Sequence, residues 1–527
     1  MSSRITLRNL CLVCVVILLL LAPDYIYQCI DDKYKVLSMW KPLKFVIPLS
    51  IGLVFNKYRW MTYSAVAFLC VLQLMQFSVM SFFGRYLMAY DFTALFDEFN
   101  DIFLSATGAF ANHWKVIPTV LIPFGLMFWI LHTNNKKSIY GTAILIVTTC
   151  SIFLANLQRS VPYPLDGRIT IDNTLKSFSF AVRDALSSYN TPKYENYEIK
   201  NVGIKTDEPI TIVYVIGESV NCKHMSLFGY ERDTTPMLKK LVQYENFYYV
   251  QGIAGAVCTK AANKFMMNVI WEPNNVKLNA NAETSLCRFA KENGFKVFYL
   301  TSQDNKMLAS ICTAKSKYID VTETRNTNEA QVIKKRDDYI FDLLDKQEFG
   351  DRNFIIIQQR CPHDPYTEHY PEGYDGQKPF SGSKDVRIDD YDNVMLYEDT
   401  FLYRMFERFN KQTNGKFYII FASDHNELFD EDGLWGHSTL YPLTANIPML
   451  IQSNDAEFMK KVRTIFKPTH YEIAQLLANV MGFEVKNPNQ KQNMFHINGI
   501  DFDGRHGYME LYKDLQNKSV SYKVHKR

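Results

Sequence analysis

The sequence predicts an α/β protein in two parts: an amino-terminal bundle of about five transmembrane helices, then an α/β/α domain with a mainly parallel sheet. Charge is unevenly distributed, because residues 1–158 contain only 19 of the 113 charged residues (about 12% of that part). That part contains long stretches without charge. Residues 159–527, about 25% charged, alternate short apolar runs with helical patterns.

The composition of the two parts excludes several classes of protein. Globular proteins carry about 25% charged residues, so only the second part has a normal globular composition. A single soluble domain, a disordered chain and a disulfide-rich miniprotein are therefore excluded. The net charge of +3 gives no reason to expect a nucleic-acid partner.

Five segments of the first part are candidate membrane spans. About 20 apolar residues cross a bilayer, and most of the candidates reach that length. The twelve residues 45–56 are short, so an interfacial or re-entrant segment remains an alternative there. Lys41 and Lys44 could snorkel and let this span begin near Trp40. The spans lie near residues 9–30, 40–56, 60–84, 116–135 and 138–158.

The number of spans determines the side of the membrane that the second part occupies. With five spans and the amino terminus inside, the short inner loops are basic, which favours a carboxyl domain outside. The basic residues of these loops are Arg4, Arg8, Lys57, Arg59, Lys136 and Lys137. No small-residue cleavage site follows the first span, so we expect an uncleaved anchor.

Two segments connect the spans to the second part. Residues 90–103 have apolar residues at helical spacing and predict an amphipathic helix, which lies on the membrane or packs on the soluble domain. Residues 159–205 predict a linker with one helix near 173–186. We assign 206–527 to the soluble domain.

The soluble domain alternates apolar β-rich runs with helical patterns, which is typical of a parallel sheet covered on both faces. The runs are 210–216, 296–301, 354–358, 417–421 and 447–452. The helical patterns are 234–242, 259–270, 284–292, 391–410 and 471–480.

Three of these runs end directly before metal-type ligands. Ligands of open α/β sheets bind at the carboxyl ends of the strands, so we expect these side chains to meet at one edge. Carboxylate with imidazole suits zinc or another transition metal. The residues are Glu218 after the first run, His363 and Asp364 after the third, and Asp424, His425 and Glu427 after the fourth.

The motif VIGESVNCKHMSLFGYERDTTPML, residues 215–238, resembles the signature of the membrane phosphoethanolamine transferases of the alkaline phosphatase/sulfatase superfamily. The resemblance continues through YDNVMLYEDTFL (391–402) and FASDHNEL (421–428) and covers most of 205–485. It implies an alkaline-phosphatase-like domain in the bacterial periplasm, anchored by a multi-pass inner-membrane part.

The resemblance also implies roles for individual residues. Glu218, Asp424 and His425 would be zinc ligands, with a second zinc possible. Thr259, in GIAGAVCTKAANKFMM, would be the nucleophile and a further ligand. A helix N-cap is the alternative, compatible role for this threonine. His363 and His437 match two further family histidines, which protonate the leaving group or hold the second zinc.

The reaction implied by the resemblance is a two-step transfer. Thr259 would attack phosphatidylethanolamine, release diacylglycerol and carry phosphoethanolamine as a covalent phospho-threonine. A lipid A or other envelope glycan acceptor would then take the group. Adding an amine masks phosphate charge, so resistance to cationic antimicrobial peptides would follow if lipid A is the acceptor.

The chain departs from the family pattern at several positions. The cysteines that flank the family's nucleophile loop in a disulfide are replaced here by Gly255 and Phe265. Gln358 stands where relatives can carry a histidine. Asn305, in TSQDNK, is the best match to a polar run that contacts the phosphoethanolamine group in relatives. These differences leave the acceptor and the head group open.

Three other functions compete with this one. A sulfatase needs Cys or Ser in a C/S-x-P-x-R pattern, and Cys258-Thr-Lys-Ala-Ala lacks both the proline and the arginine. A phosphoglycerol transferase of the lipoteichoic-acid type would share the five-span plan and the threonine. An inactive relative would serve as a scaffold or lipid-binding module.

Overall fold

The structure is a computed structural model that describes residues 7–30, 40–83, 86–88, 91–92, 114–134, 137–157, 169–186, 192–313, 315–411, 414–502 and 506–525. The chain divides into two compact units. The first comprises Met1–Tyr189 with Asp430–Trp435 and the terminal Arg527, and the second comprises Asn190–Phe429 with Gly436–Lys526.

The first unit is helical. Leu7–Gln28, Arg59–Ser81 and Val116–Thr133 are long and apolar enough to cross a membrane, and Leu43–Phe55 and Ile139–Ser151 are shorter apolar helical stretches. The predicted spans therefore form helices. The helices are α1 (Leu7–Gln28), α2 (Trp40–Phe55), α3 (Arg59–Phe83), α4 (Val116–Thr133), α5 (Ile139–Leu157) and α6 (Thr170–Leu186).

Helix α2 is the short member of this set. Its 16 residues rise about 24 Å at 1.5 Å per residue, less than the hydrocarbon thickness of about 30 Å. The interfacial or re-entrant alternative for this segment therefore stays open.

A buried carboxylate ties the first helix to the last one of this unit. Asp24 of α1 is fully buried, and it accepts hydrogen bonds from the backbone N–H of Thr170 at 2.8 Å and from its hydroxyl at 3.0 Å. The N–H groups at a helix start need such acceptors, so Asp24 stabilises the beginning of α6. The predicted linker helix is thus present and begins at Thr170, whereas the predicted helix at 90–103 lies outside the described residues apart from 91–92.

The second unit is an α/β domain. Its helices are α7 (Pro236–Leu241), α8 (Thr259–Met266), α9 (Val276–Ala280), α10 (Leu286–Glu292), α11 (Leu308–Ile311), α12 (Lys315–Tyr318), α13 (Glu329–Lys335), α14 (Tyr339–Asp345), α15 (Val386–Asn410), α16 (Ala456–Thr464) and α17 (His470–Val480). Its strands, with a hairpin that both units share, are β1 (Glu198–Asn201), β2 (Ile210–Gly217), β3 (Phe247–Ile253), β4 (Lys296–Thr301), β5 (Val321–Glu323), β6 (Arg352–Gln358), β7 (Lys416–Ser423), β8 (Leu428–Glu431), β9 (Leu434–Gly436), β10 (Asn446–Ser453), β11 (Phe483–Lys486), β12 (Met494–Asn498), β13 (Tyr508–Asp514) and β14 (Ser519–His525).

The central sheet has seven strands in the order β3-β10-β7-β2-β6-β4-β5. The pairs from β7 through to β5 are parallel, and β10 is antiparallel to both of its neighbours. The central strands β2, β6 and β7 are almost entirely buried, which explains their continuous apolar sequences. All five strands predicted from the sequence are confirmed, within a mainly parallel sheet.

Strand β3 is absent from the sequence prediction. It lies at the sheet edge, and its sequence FYYVQGI is largely half-buried, so it lacks the continuous apolar run that marks its neighbours. Its carboxyl end matters for the site, since the loop after Ile253 leads to α8.

Candidate active site

The carboxyl ends of β2 and β7 bring three potential metal ligands together. These strands are parallel neighbours, so the residues that follow them lie at the same edge of the sheet. One ligand atom from each of Glu218, Asp424 and His425 lies within 4.8 Å of the others, and all three side chains are buried.

Thr259 joins this cluster from the start of α8. Its Oγ1 lies 3.1 Å from Glu218 Oε1 and 3.0 Å from His425 Nε2. The N-cap of the helix is Cys258, in extended backbone, so Thr259 is the first helical residue and its hydroxyl is directed at the cluster. A hydroxyl in this place combines a nucleophile with the positive end of a helix dipole.

The cluster has the properties of a divalent-cation site. Asp424 Oδ1 accepts from the N–H groups of Ser219 and His425, while its buried Oδ2 has no hydrogen-bond partner among the described residues. Two carboxylates, one imidazole and the Thr259 hydroxyl offer four donors, the usual coordination number of zinc in proteins. The residues present therefore fit the metal that the family resemblance implies.

Electrostatics support the same conclusion. Burial raises the pKa of Asp424 to about 6. Burial, then the negative charge of Asp424, raises the pKa of Glu218 well above its usual range. Burial lowers the pKa of His425, which keeps the imidazole neutral, the form that binds metals. Two carboxylates buried beside each other are costly, and a bound cation would reduce that cost.

A residue that the sequence prediction missed also contacts Glu218. The buried amide of Gln303, just after β4, donates to Glu218 Oε2 at 3.3 Å and to the Gln359 carbonyl at 2.9 Å. Asn305, predicted from the same polar run, is exposed, and its backbone N–H donates to Asn326 Oδ1. The polar run TSQDNK therefore brings Gln303, and not Asn305, to the cluster.

Two predicted histidines lie beside the ligands. The rings of His437 and His425 stack with centroids 4.3 Å apart, and the rings of His437 and His363 are 5.8 Å apart. Glu427 orients His437, because its Oε2 lies 2.9 Å from Nδ1. Burial, then the charge of Arg360, lowers the pKa of His363. The lowered pKa favours the neutral form of the His363 imidazole.

A third histidine, His470, supports the loop before Thr259 and was not predicted. It is fully buried at the start of α17, accepts from the Gly255 N–H at Nδ1 and donates from Nε2 to the Ser423 carbonyl, each at 3.0 Å. It therefore joins the loop before Thr259 to the end of β7. Sequence alone offers no signal for it, because a lone histidine at a helix start has many ordinary roles.

Comparison with known proteins identifies relatives. The family described as Sulfatase matches residues 210–481. The chain is 24% identical over 355 residues to the Kdo(2)-lipid A phosphoethanolamine 7''-transferase of Salmonella typhimurium (62% of this chain and 61% of the relative). It is 28% identical over 247 residues to phosphoethanolamine transferase EptC of Escherichia coli K12 (42% and 40%). It thus spans about 40 to 61% of these relatives' length.

A solved structure extends the likeness to both parts of the chain. The integral membrane lipooligosaccharide phosphoethanolamine transferase A (EptA) of Neisseria meningitidis matches with a TM-score of 0.58 and 14% identity. The match covers 90% of this chain and 95% of that one. At this identity the likeness establishes the fold, an apolar helical part followed by an α/β domain.

Proposed function

The chain belongs to the Sulfatase family, and from this premise we propose that it transfers phosphoethanolamine from phosphatidylethanolamine to lipid A or another envelope glycan. The observation that carries the proposal is the Thr259 hydroxyl, 3.0–3.1 Å from His425 and Glu218 at the start of a helix. Relatives named as phosphoethanolamine transferases support the choice of group.

The proposed cofactor is zinc, held by Glu218, Thr259, Asp424 and His425. When bound, zinc lowers the pKa of a coordinated hydroxyl and offsets charge on the phosphoryl group. The protein itself holds the donors in place: backbone N–H groups bind Asp424 Oδ1, and Gln303 binds Glu218. A second ion at this site would be held by His363 and His437.

The first step forms a bond from Thr259 Oγ1 to phosphorus and breaks the bond from phosphorus to the diacylglycerol oxygen. The hydroxyl proton of Thr259 is released to solvent, and the departing diacylglycerol oxygen takes a proton from a histidine. His437, oriented by Glu427, and the neighbouring His363 are placed to deliver that proton. Diacylglycerol leaves, and phosphoethanolamine stays on Thr259.

The second step reverses the roles. A hydroxyl or phosphate oxygen of the acceptor loses its proton to a histidine, attacks phosphorus and breaks the bond to Thr259 Oγ1. Thr259 Oγ1 takes a proton from solvent, which regenerates its hydroxyl and balances the proton released in the first step. The positive end of α8 stabilises negative charge on the phosphoryl oxygens in both steps.

We place the protein in the bacterial inner membrane, with the catalytic domain in the periplasm. Both proposed substrates are lipids, and the apolar helices of the first unit would keep the chain in the membrane that contains them. Sulfate-ester hydrolysis is disfavoured, since Cys258 lacks the proline and arginine that formylglycine formation requires.

Mass spectrometry of lipid A and envelope glycans tests the proposal. Cells that express the chain should gain an envelope species heavier by one phosphoethanolamine group. Thr259→Ala should abolish the gain while metal stays bound through Glu218, Asp424 and His425. Thr400→Ala, which changes an exposed threonine of α15, is the matched control and should behave like the unchanged chain.

Two results would contradict the proposal. If no envelope component gains mass, the transfer reaction is wrong. If Thr259→Ala modifies the envelope as well as the unchanged chain does, then Thr259 is not the nucleophile.

A further inference from the structure

A second group of buried metal-ligating side chains lies apart from Thr259. It consists of Asp337, just before α14, Cys361, in the loop after β6, and Glu398, in the middle of α15. One ligand atom from each lies within 4.8 Å of the other two, and each residue is at most 1% exposed. None of the three has a part in the proposed transfer reaction.

The group contains polar atoms that its protein neighbours leave unsatisfied. Glu398 Oε2 accepts from Gln359 Nε2 at 2.8 Å, and the Cys361 thiol also bonds to the Glu398 carboxylate. The buried Oε1 is left without a hydrogen-bond partner among the described residues. The hydroxyl of Tyr397, a residue only 4% exposed, is also without a partner in the described part of the chain. It lies near the group, because the charges of Asp337, Cys361 and Glu398 add to burial in raising the pKa of Tyr397.

Asp337 shows that the group is preorganised. Its Oδ2 accepts from the Cys361 N–H at 3.0 Å, and its carboxylate also accepts from the Arg360 N–H at 3.2 Å. These bonds hold the aspartate and the cysteine-bearing loop together. Buried polar groups are normally satisfied, so the partnerless oxygen beside this pair points to a missing ligand.

The chemistry of the group selects the ligand. When two carboxylates and a thiol buried together are ionised, all of their charge is negative, which a cation stabilises and an anion does not. A thiolate ligand favours zinc and similar transition metals over magnesium or calcium, which prefer oxygen alone. We propose that Asp337, Cys361 and Glu398 bind a divalent transition-metal ion, zinc by the nature of its donors, at a site separate from that of Thr259.

The ion would hold the loop that carries His363. Cys361 lies two residues before that histidine. Gln359 bonds to Glu398 through its side chain, and its carbonyl accepts from Gln303, which in turn binds Glu218. An ion at the proposed site would therefore stabilise the loop that carries His363, and it would take no direct part in the transfer chemistry.

Cobalt substitution tests the site in the full chain, purified in detergent, stripped of metal and reloaded with Co²⁺. A bond from cobalt to a thiolate gives an intense charge-transfer absorption, which oxygen and imidazole ligands do not produce. We expect this band in the unchanged chain and its loss in Cys361→Ser. Cys287→Ser, which changes an equally buried cysteine elsewhere, should keep the band.

Two further variants separate this site from the catalytic one. Thr259→Ala should keep the charge-transfer band, so a failure of the proposed transfer reaction leaves this test intact. Glu398→Gln preserves the size of the side chain and should weaken cobalt binding at the thiolate site by about 10-fold or more.

The proposal is overturned if the unchanged chain, with cobalt in excess, shows no charge-transfer band. It is also overturned if the band disappears in Cys258→Ser and persists in Cys361→Ser, since the thiolate would then belong to the Thr259 site.

Discussion

At the residue scale, Gln303 shows how a neutral side chain supports a charged one. Glu218 is buried and would be a metal ligand, so its orientation must be held by its neighbours. The amide of Gln303 donates to Glu218 Oε2 and is itself positioned by the Gln359 carbonyl. Partners of this kind orient metal ligands and commonly change metal affinity when removed.

We therefore expect Gln303→Ala to lower the apparent zinc affinity of the catalytic site by about 10- to 100-fold. Competition with a chromogenic chelator measures this affinity. Gln452→Ala is the control, because Gln452 is equally buried in β10 but bonds to Asn246. A merely structural role for Gln303 would lower the thermal stability of both variants and leave both affinities unchanged.

At the scale of elements, the loop before α8 is closed by packing. By the family resemblance, relatives carry a disulfide at the positions of Gly255 and Phe265, which this chain cannot form, and none of its ten cysteines is in a disulfide. A Cβ built on Gly255 would lie 2.5 Å from the Phe265 Cβ, so the glycine allows the aromatic residue to pack directly against the loop. Phe265 is 2% exposed and contributes to the buried core that includes Ala261 and Ala262 of α8.

Gly255→Ala should consequently destabilise the domain by about 1–3 kcal/mol, the usual cost of overpacking a core. Thermal unfolding followed by circular dichroism measures the effect. Gly350→Ala is a matched control, because a Cβ there meets no atom within 4 Å. Equal melting temperatures for the two variants would show that the loop accommodates the methyl group without strain.

At the scale of the whole molecule, the number of spans determines on which side of the membrane the α/β domain lies. Three helices are long and apolar enough to cross a membrane, and two apolar stretches are shorter. Five crossings with an inner amino terminus put residues 206–527 outside the cytoplasm. Four crossings, with residues 45–56 re-entrant, would put them inside.

Reporter fusions distinguish these topologies. A periplasm-dependent phosphatase fused after Arg527 should be active, and a green fluorescent protein fused there should be dark. The same pair fused after Lys137, in a predicted inner loop, should give the opposite result. Fluorescence at Arg527 would mean an even number of spans and would also contradict a periplasmic catalytic domain.

Sequence by itself determined the features that depend on local pattern. Apolar length indicated the helices of the first unit, and continuous apolar runs indicated five strands of the sheet. Because parallel strands end at one edge, residues such as Glu218 and Asp424 could be expected to meet before their distance was known.

Tertiary structure alone decided the contacts made across long separations. Gln303 meets Glu218 from 85 residues away, and His470 meets the Gly255 N–H from 215 residues away. The antiparallel β10 and the group of Asp337, Cys361 and Glu398 likewise depend on how the elements pack. The physical reason is that a motif records which side chains a segment carries, whereas the partners of a buried polar group are set by whichever segment packing brings beside it.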